Sequence, residues 1–131
     1  MIDNALKKSI AFLLVLNCCV WVSPTLAKEN SIETLKKAAE VDPNDYAPHF
    51  GLGQAYNSMG LYDRAIAEYL KTIELEPLFA AAHSGLGSSY GALARYEEAV
   101  DAFKESTRLG PNYSDAQFGL GWTYTQLEEY E

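Results

Sequence analysis

His49 and His83 stand 34 residues apart and are the chain's two histidines, side chains that could bind a metal or move a proton. A zinc ion would need further ligands at about 2.0 to 2.3 Å, and no carboxylate or thiolate falls in register beside the pair. The reading that remains is two partly buried histidines with structural partners. Glu97, Glu98 and Asp101 could be taken for a general acid and base. Carboxylates at the start of a helical pattern, however, complement the positive end of the helix dipole and stay solvated. The Gly-Leu-Gly pieces that end at Gly53, Gly87 and Gly121 are not phosphate loops, because they lie inside helical patterns where their amides are engaged in helix bonds. Cys18 and Cys19 are the only thiols. They sit in an apolar run, and Asn17 is not the small residue that lipid attachment wants before Cys18. These residues predict no catalytic group, no metal site and no cofactor. What they leave is surface for binding.

The elements that carry such a surface are written in the spacing. Leu52-Gly53, Tyr56, Tyr62, Ala65, Leu75 and Pro77 return 34 residues later as Leu86-Gly87, Tyr90, Tyr96, Ala99, Leu109 and Pro111. A third copy begins with Leu120-Gly121, Tyr124 and Tyr130. A period of about 34 residues is that of a two-helix unit, and stacked units of this kind offer a continuous face for a partner.

The 131 residues are 48% hydrophobic, the composition of one ordinary folded domain. Part of that apolar content is a targeting segment. Lys7 and Lys8 precede an apolar stretch over Ser9 to Val22, and Thr25-Leu26-Ala27 offers small residues for cleavage before Lys28. The stretch is short of the roughly 20 residues needed to span a bilayer, and Pro24 interrupts it. The alternative is an uncleaved membrane anchor. Cleavage would export the chain to a periplasmic or secreted location without cysteine, so helix packing alone would stabilise it. It would also move the formal charge from −8 to −9, since the segment carries Lys7 and Lys8 against Asp3. Such acidity argues against nucleic acid and anionic lipid as partners and keeps the chain soluble.

Residues 1–27 therefore read as a signal peptide, 28–45 as a half-repeat helix, 46–79 and 80–113 as two full repeats, and 114–131 as a partial third. Ser31 to Val41 is an amphipathic pattern that ends at Asp42-Pro43. In the first repeat Asn44 and Asp45 can cap a helix through about Met59, Gly60 can close it in the left-handed conformation, and Asp63 can cap the second helix. In the second repeat Ala94 replaces that glycine, so the turn either avoids the left-handed geometry or bears strain of about 1 kcal/mol. Asn112 or Ser114 can cap the last long helix, expected over Asp115 to Leu127 with a new helix starting at Glu128. The apolar face of that last helix, with Phe118, Leu120 and Tyr124, would be partly uncovered. It would then be a piece of a longer array or a self-associating surface.

Gly53, Gly87 and Gly121 fall mid-helix, where glycine costs about 0.8 to 1.0 kcal/mol relative to alanine. Close approach of the second helix, with Ala65 and Ala99 as its small partners, offsets that cost. Gly51, Gly85 and Gly119 imply another close approach whose partner the sequence does not name. Tyr56, Tyr90 and Tyr124, with Tyr69 and Phe103 on the second helices, read as packing rings.

These residues resemble the tetratricopeptide repeat family over Tyr46 to Glu131, with a fainter echo over Ser31 to Asp45. Departures are His49, His83 and Gln117 at positions often bulky in the family, and Thr72 and Ser106 where alanine is usual. The resemblance implies an all-α solenoid of antiparallel helix pairs in a right-handed superhelix, with the first helices lining a concave groove. It carries the groove onto Ala47, Phe50, Gln54, Asn57 and Ser58, then Ala81, Ser84, Ser88, Gly91 and Ala92, then Asp115, Phe118, Trp122, Thr125 and Gln126. No lysine or arginine occurs among them. The family subgroup that grips a terminal carboxylate uses basic residues there, so that role is excluded. Arg64, Lys71, Arg95, Lys104 and Arg108 belong to the second helices and the outer face. Phe50, Phe118 and Trp122 become the aromatic anchors, with Gln54, Asn57, Ser88 and Gln126 as polar groups for a peptide backbone. Phe50 and Phe118 serve equally well as packing between repeats. The expected function is a non-enzymatic scaffold that holds a peptide segment or partner helix. A longer array, a repeat-bearing enzyme and a homo-oligomer are the alternatives.

Overall fold

The structure is a computed structural model and describes residues 24–130. Expectations for Lys7, Lys8, the apolar run and both cysteines lie outside the described residues. The chain divides into two compact units, Met1–Glu33 and Thr34–Glu131. Of the first, residues 24–33 are described and are helical.

Six helices and no strands occur among the described residues: α1 (Pro24–Val41), α2 (Tyr46–Ser58), α3 (Tyr62–Leu75), α4 (Ala80–Ala92), α5 (Tyr96–Leu109) and α6 (Ser114–Tyr130). α1 begins seven residues before the expected Ser31, at a proline. Proline is suited to a first helical position because its fixed φ is already helical and its missing N–H would be unpaired there. The expected cleavage point after Ala27 therefore falls within α1.

The hairpins follow the repeat. α2 packs on α3 and α4 on α5, α3 on α4 and α5 on α6, while α2, α4 and α6 touch in sequence. The first helices thus form one layer and the second helices the other. On α3 the buried residues Ala65, Ile66, Tyr69 and Thr72 make one stripe, and Ala99, Val100, Phe103 and Ser106 repeat it on α5. α4 has neighbours on several sides, so Ala82, Ser84, Leu86, Gly87, Ser89 and Gly91 are buried around much of its girth. Pro77 and Pro111 stand just beyond the ends of α3 and α5, where they prevent continuation.

Caps confirm some expectations and correct others. Asp45 caps α2, its carboxylate accepting the Ala47 N–H at 2.9 Å. Asp63 does not cap α3: the N-cap is Leu61 without a side-chain bond, and Asp63 sits inside the first turn facing the helix dipole. Gly60 takes φ +74° and Ala94 takes φ +58°. Each closes its helix alike, with Leu61 N–H donating to the Tyr56 carbonyl at 2.9 Å and Arg95 N–H to the Tyr90 carbonyl at 3.0 Å. Ala94 therefore accepts the left-handed conformation and its strain. The turn expected near Leu127 is absent, and α6 continues to Tyr130. Glu128 stands where Gly60 and Ala94 stood, and a glutamate favours continuing the helix over turning left-handed.

Candidate functional site: the groove of the first helices

The groove is built on glycine and aromatic contacts between units. A Cβ on Gly53 would come within 2.7 Å of the Tyr69 ring, and one on Gly85 within 2.5 Å of the same ring. Tyr69 is thus wedged between the first helix of its own unit and that of the next. Phe103 repeats the arrangement, where a Cβ on Gly87 would lie 2.9 Å from the ring and one on Gly119 would overlap it. Leu35 of α1 meets Gly51 in the same way, at 3.0 Å. The partner of Gly53 is therefore the Tyr69 ring, where the sequence pointed to Ala65. The second glycine of each unit admits a side chain from sixteen residues earlier. Gly121 has open space where a Cβ would go.

These rings floor a cavity of about 700 Å³. Of the residues assigned to the groove, Phe50, Gln54, Asn57, Ala81, Ser84, Ser88, Ala92, Asp115, Phe118 and Trp122 line it, whereas Ala47, Ser58, Gly91, Thr125 and Gln126 do not. Gly91 is buried beneath the Trp122 ring, which would lie 3.1 Å from its Cβ. Thr125 instead turns its hydroxyl to the Trp122 carbonyl at 2.6 Å. Tyr69, Phe103 and Tyr113 also line the cavity and were not among the groove residues. The signal that could have found Tyr69 and Phe103 is the recurring sixteen-residue step from each ring to a glycine.

Phe50 does both things open to it. It lines the cavity while its ring lies 4.9 Å from Phe79 and 6.0 Å from Tyr69. Phe118 is 79% exposed, so it is no packing residue among the described residues. Trp122, 43% exposed, rests edge-on to Tyr96 at 6.1 Å and keeps much of its face open. Asn57 accepts the Ser89 hydroxyl on its Oδ1 at 3.1 Å, which fixes its carbonyl end and leaves its amide hydrogens as donors.

Asp115 is the one charged residue of the lining, and no lysine or arginine is part of it. Burial, reinforced by Tyr113, pushes the Tyr69 phenol up to about 12. The surface pairs lie elsewhere: the hydrogen bonds from Arg95 and Arg108 hold Glu98 and Glu105 below the usual carboxylate range. Such exposed pairs contribute little to stability.

The histidines have local partners. His49 Nδ1 lies 2.8 Å from Glu68 Oε2, and His83 Nε2 lies 3.0 Å from the Pro77 carbonyl. Gln117, one period on from His83, donates to the Pro111 carbonyl at 2.5 Å. In α4 and α6 this position ties the helix to the loop before it, whereas in α2 it faces Glu68 of α3. No group of three His, Cys, Asp or Glu side chains suited to a metal occurs among the described residues.

Three family models match the chain: a tetratricopeptide repeat model over residues 34–67, a TPR repeat model over 53–93 and a further tetratricopeptide repeat model over 84–131. A search of curated protein sequences finds no match. Among solved structures, MamA is similar with 26% identity and a TM-score of 0.75, over 98% of this chain and 67% of that one. YrrB, described as a TPR protein with an unusual peptide-binding site, is 32% identical with a TM-score of 0.69, over 74% of this chain and half of its own. The second TPR domain of human RPAP3, solved with the HSP70 peptide SGPTIEEVD, shares the fold with a TM-score of 0.71 at 21% identity, over 74% of this chain and 81% of that domain. With its glycine-seated rings, paired helices and three matching models, the chain belongs to the tetratricopeptide repeat family and is an all-α solenoid of antiparallel helix pairs.

Proposed function

We propose that the chain is a non-enzymatic interaction scaffold that holds a segment of a partner protein in the groove of its first helices. The observation that carries this reading is the cavity of about 700 Å³, lined by Phe50, Phe118 and Trp122 together with Gln54, Asn57 and Ser88. Apolar anchors with a few convergent polar groups are what a peptide site requires. The peptide sites described for YrrB and for the RPAP3 domain support it. The lack of bases in the lining turns the reading away from an acidic C-terminal tail.

Peptides selected from a random display library against the full chain, then measured by calorimetry, test the reading. Trp122→Ala should weaken their binding by about 2 kcal/mol or more while lowering the melting temperature little. Unchanged affinity with a collapsed melting transition would make the ring a core residue and remove it from the groove.

The exposure of Phe118 and Tyr124 on α6 favours a second reading, pairing of copies through that helix. Light scattering across dilution distinguishes the two, because a monomer at all concentrations counts against self-association. For location, the basic start, apolar run and Thr25-Leu26-Ala27 support export with cleavage before Lys28. Sequencing the N-terminus of protein recovered from cells should find Lys28; an intact Met1 would refute cleavage.

A further inference from the structure

Of the buried serines and threonines, Thr72 donates to the Glu68 carbonyl at 2.8 Å, Ser106 to the Ala80 carbonyl at 2.8 Å and Thr123 to the Gly119 carbonyl at 2.7 Å. Ser89 reaches the Gly85 carbonyl at 3.0 Å besides Asn57. Ser84 is the exception. It is 7% exposed, it lines the cavity, and its hydroxyl has no hydrogen bond among the described residues. A helical serine ordinarily turns back to the carbonyl four residues earlier. For Ser84 that carbonyl belongs to Ala80 and is taken by Ser106.

Tyr69 is 2% exposed, lines the same cavity and lies against Gly85, the neighbour of Ser84. Its hydroxyl likewise has no hydrogen bond among the described residues. Neither oxygen is sealed from solvent, since every fully enclosed side-chain polar atom described has a partner. Both hydroxyls are therefore donors that the fold leaves open to the groove.

The repeat makes them local. At the positions equivalent to Tyr69 stand Leu35 and Phe103, and at those equivalent to Ser84 stand Phe50 and Phe118. Only the junction of the first and second full repeats places a hydroxyl at both, between two phenylalanines. We propose that Tyr69 and Ser84 form the polar anchor of the groove, donating to main-chain carbonyls of an uncharged, extended segment of a partner protein whose flanking apolar side chains lie against Phe50 and Phe118. This rests on the groove reading above and names what the groove takes.

The chemistry of the acceptor follows from the lining. A carboxylate ligand would meet Asp115 and no base. A helical ligand would offer few carbonyls, because its own bonds occupy them, whereas an extended segment offers every one. The Tyr69 phenol, held up to about 12, remains a protonated donor at neutral pH.

The test is a nuclear magnetic resonance titration of the full chain with two capped hexapeptides, acetyl-AFSLSA-amide and acetyl-AFELEA-amide, alongside unfolding of each variant. The uncharged peptide should shift amides of α2, α4 and α6 and bind more tightly than the acidic one. Tyr69→Phe and Ser84→Ala should each weaken it about three- to tenfold and leave the unfolding midpoint unlowered, since neither hydroxyl has an internal partner to lose. Groove shifts with unchanged affinity in both variants would overturn the anchor and leave the groove reading standing. A lowered midpoint in both would make the hydroxyls structural and overturn the anchor as well. Equal or tighter binding of the acidic peptide would overturn the ligand class. Failure of both peptides to shift the groove would overturn both readings.

Discussion

Tyr69 is where packing and recognition meet in one side chain, and its titration reports on the packing half. Burial raises its phenol from 10 to about 12, so as pH rises the unfolded chain loses that proton first. The stability tied to the neutral buried ring is complete below pH 10 and is lost as pH climbs toward about 12. Denaturant unfolding at intervals across that range should show the decline in the native chain and a shallower one in Tyr69→Phe. Parallel declines would place the ring in a wetter setting than the structure describes. Ala94 gives a second test at this scale. Its φ of +58° closes α4 with the same bonds that Gly60 makes for α2, so only the side chain is at odds with the geometry. Ala94→Gly should stabilise the fold by about 1 kcal/mol, read from the shift in unfolding midpoint. A destabilised variant would mean that the turn is not strained.

The helices themselves were legible from spacing: the period, the prolines after Leu75 and Leu109 and the apolar stripes of α3 and α5 are all local patterns. What the local patterns did not reveal is which side chain fills each glycine, because the contact joins different helices and Gly85 and Gly119 receive a ring from the preceding unit. Pairing Gly53 with Ala65 assumed that the closest approach lay within a hairpin between small residues; the fold instead drives a large ring into the gap. The start of α1 at Pro24 and the continuation of α6 past Leu127 escaped the pattern for a related reason. There a permissive residue, proline at a first turn or glutamate in place of glycine, lets the helix run on. A pair of glycine substitutions separates the two settings. Gly85→Ala sets a methyl against the Tyr69 ring and should cost about 1 to 3 kcal/mol through overpacking. Gly121→Ala meets open space and should stabilise by about 0.8 to 1.0 kcal/mol. Urea unfolding of both variants reads the two signs, and effects of the same sign would contradict the wedge.

At the scale of the molecule the division of labour is between layers. The second helices and the residues at their starts carry the bases, with Lys71, Arg95 and Arg108 paired to nearby carboxylates. The first helices turn a partly aromatic lining to the groove, with Asp115 its one charged residue and no base. Half of this was readable. The resemblance to the repeat family placed Phe50, Gln54, Asn57, Ser88, Phe118 and Trp122 on one face, while the floor of Tyr69 and Phe103 belongs to the other layer and emerges only when the layers are stacked. Binding through such a lining should change little between low and high salt, because no ion pair needs to be screened. The central claim is that the inner layer is the surface a partner occupies. Amide hydrogen exchange of the full chain, with and without a display-selected peptide, tests it most directly. Protection should rise on α2, α4 and α6 with the exposed faces of α3 and α5 unchanged, and protection confined to α3 and α5 would contradict it.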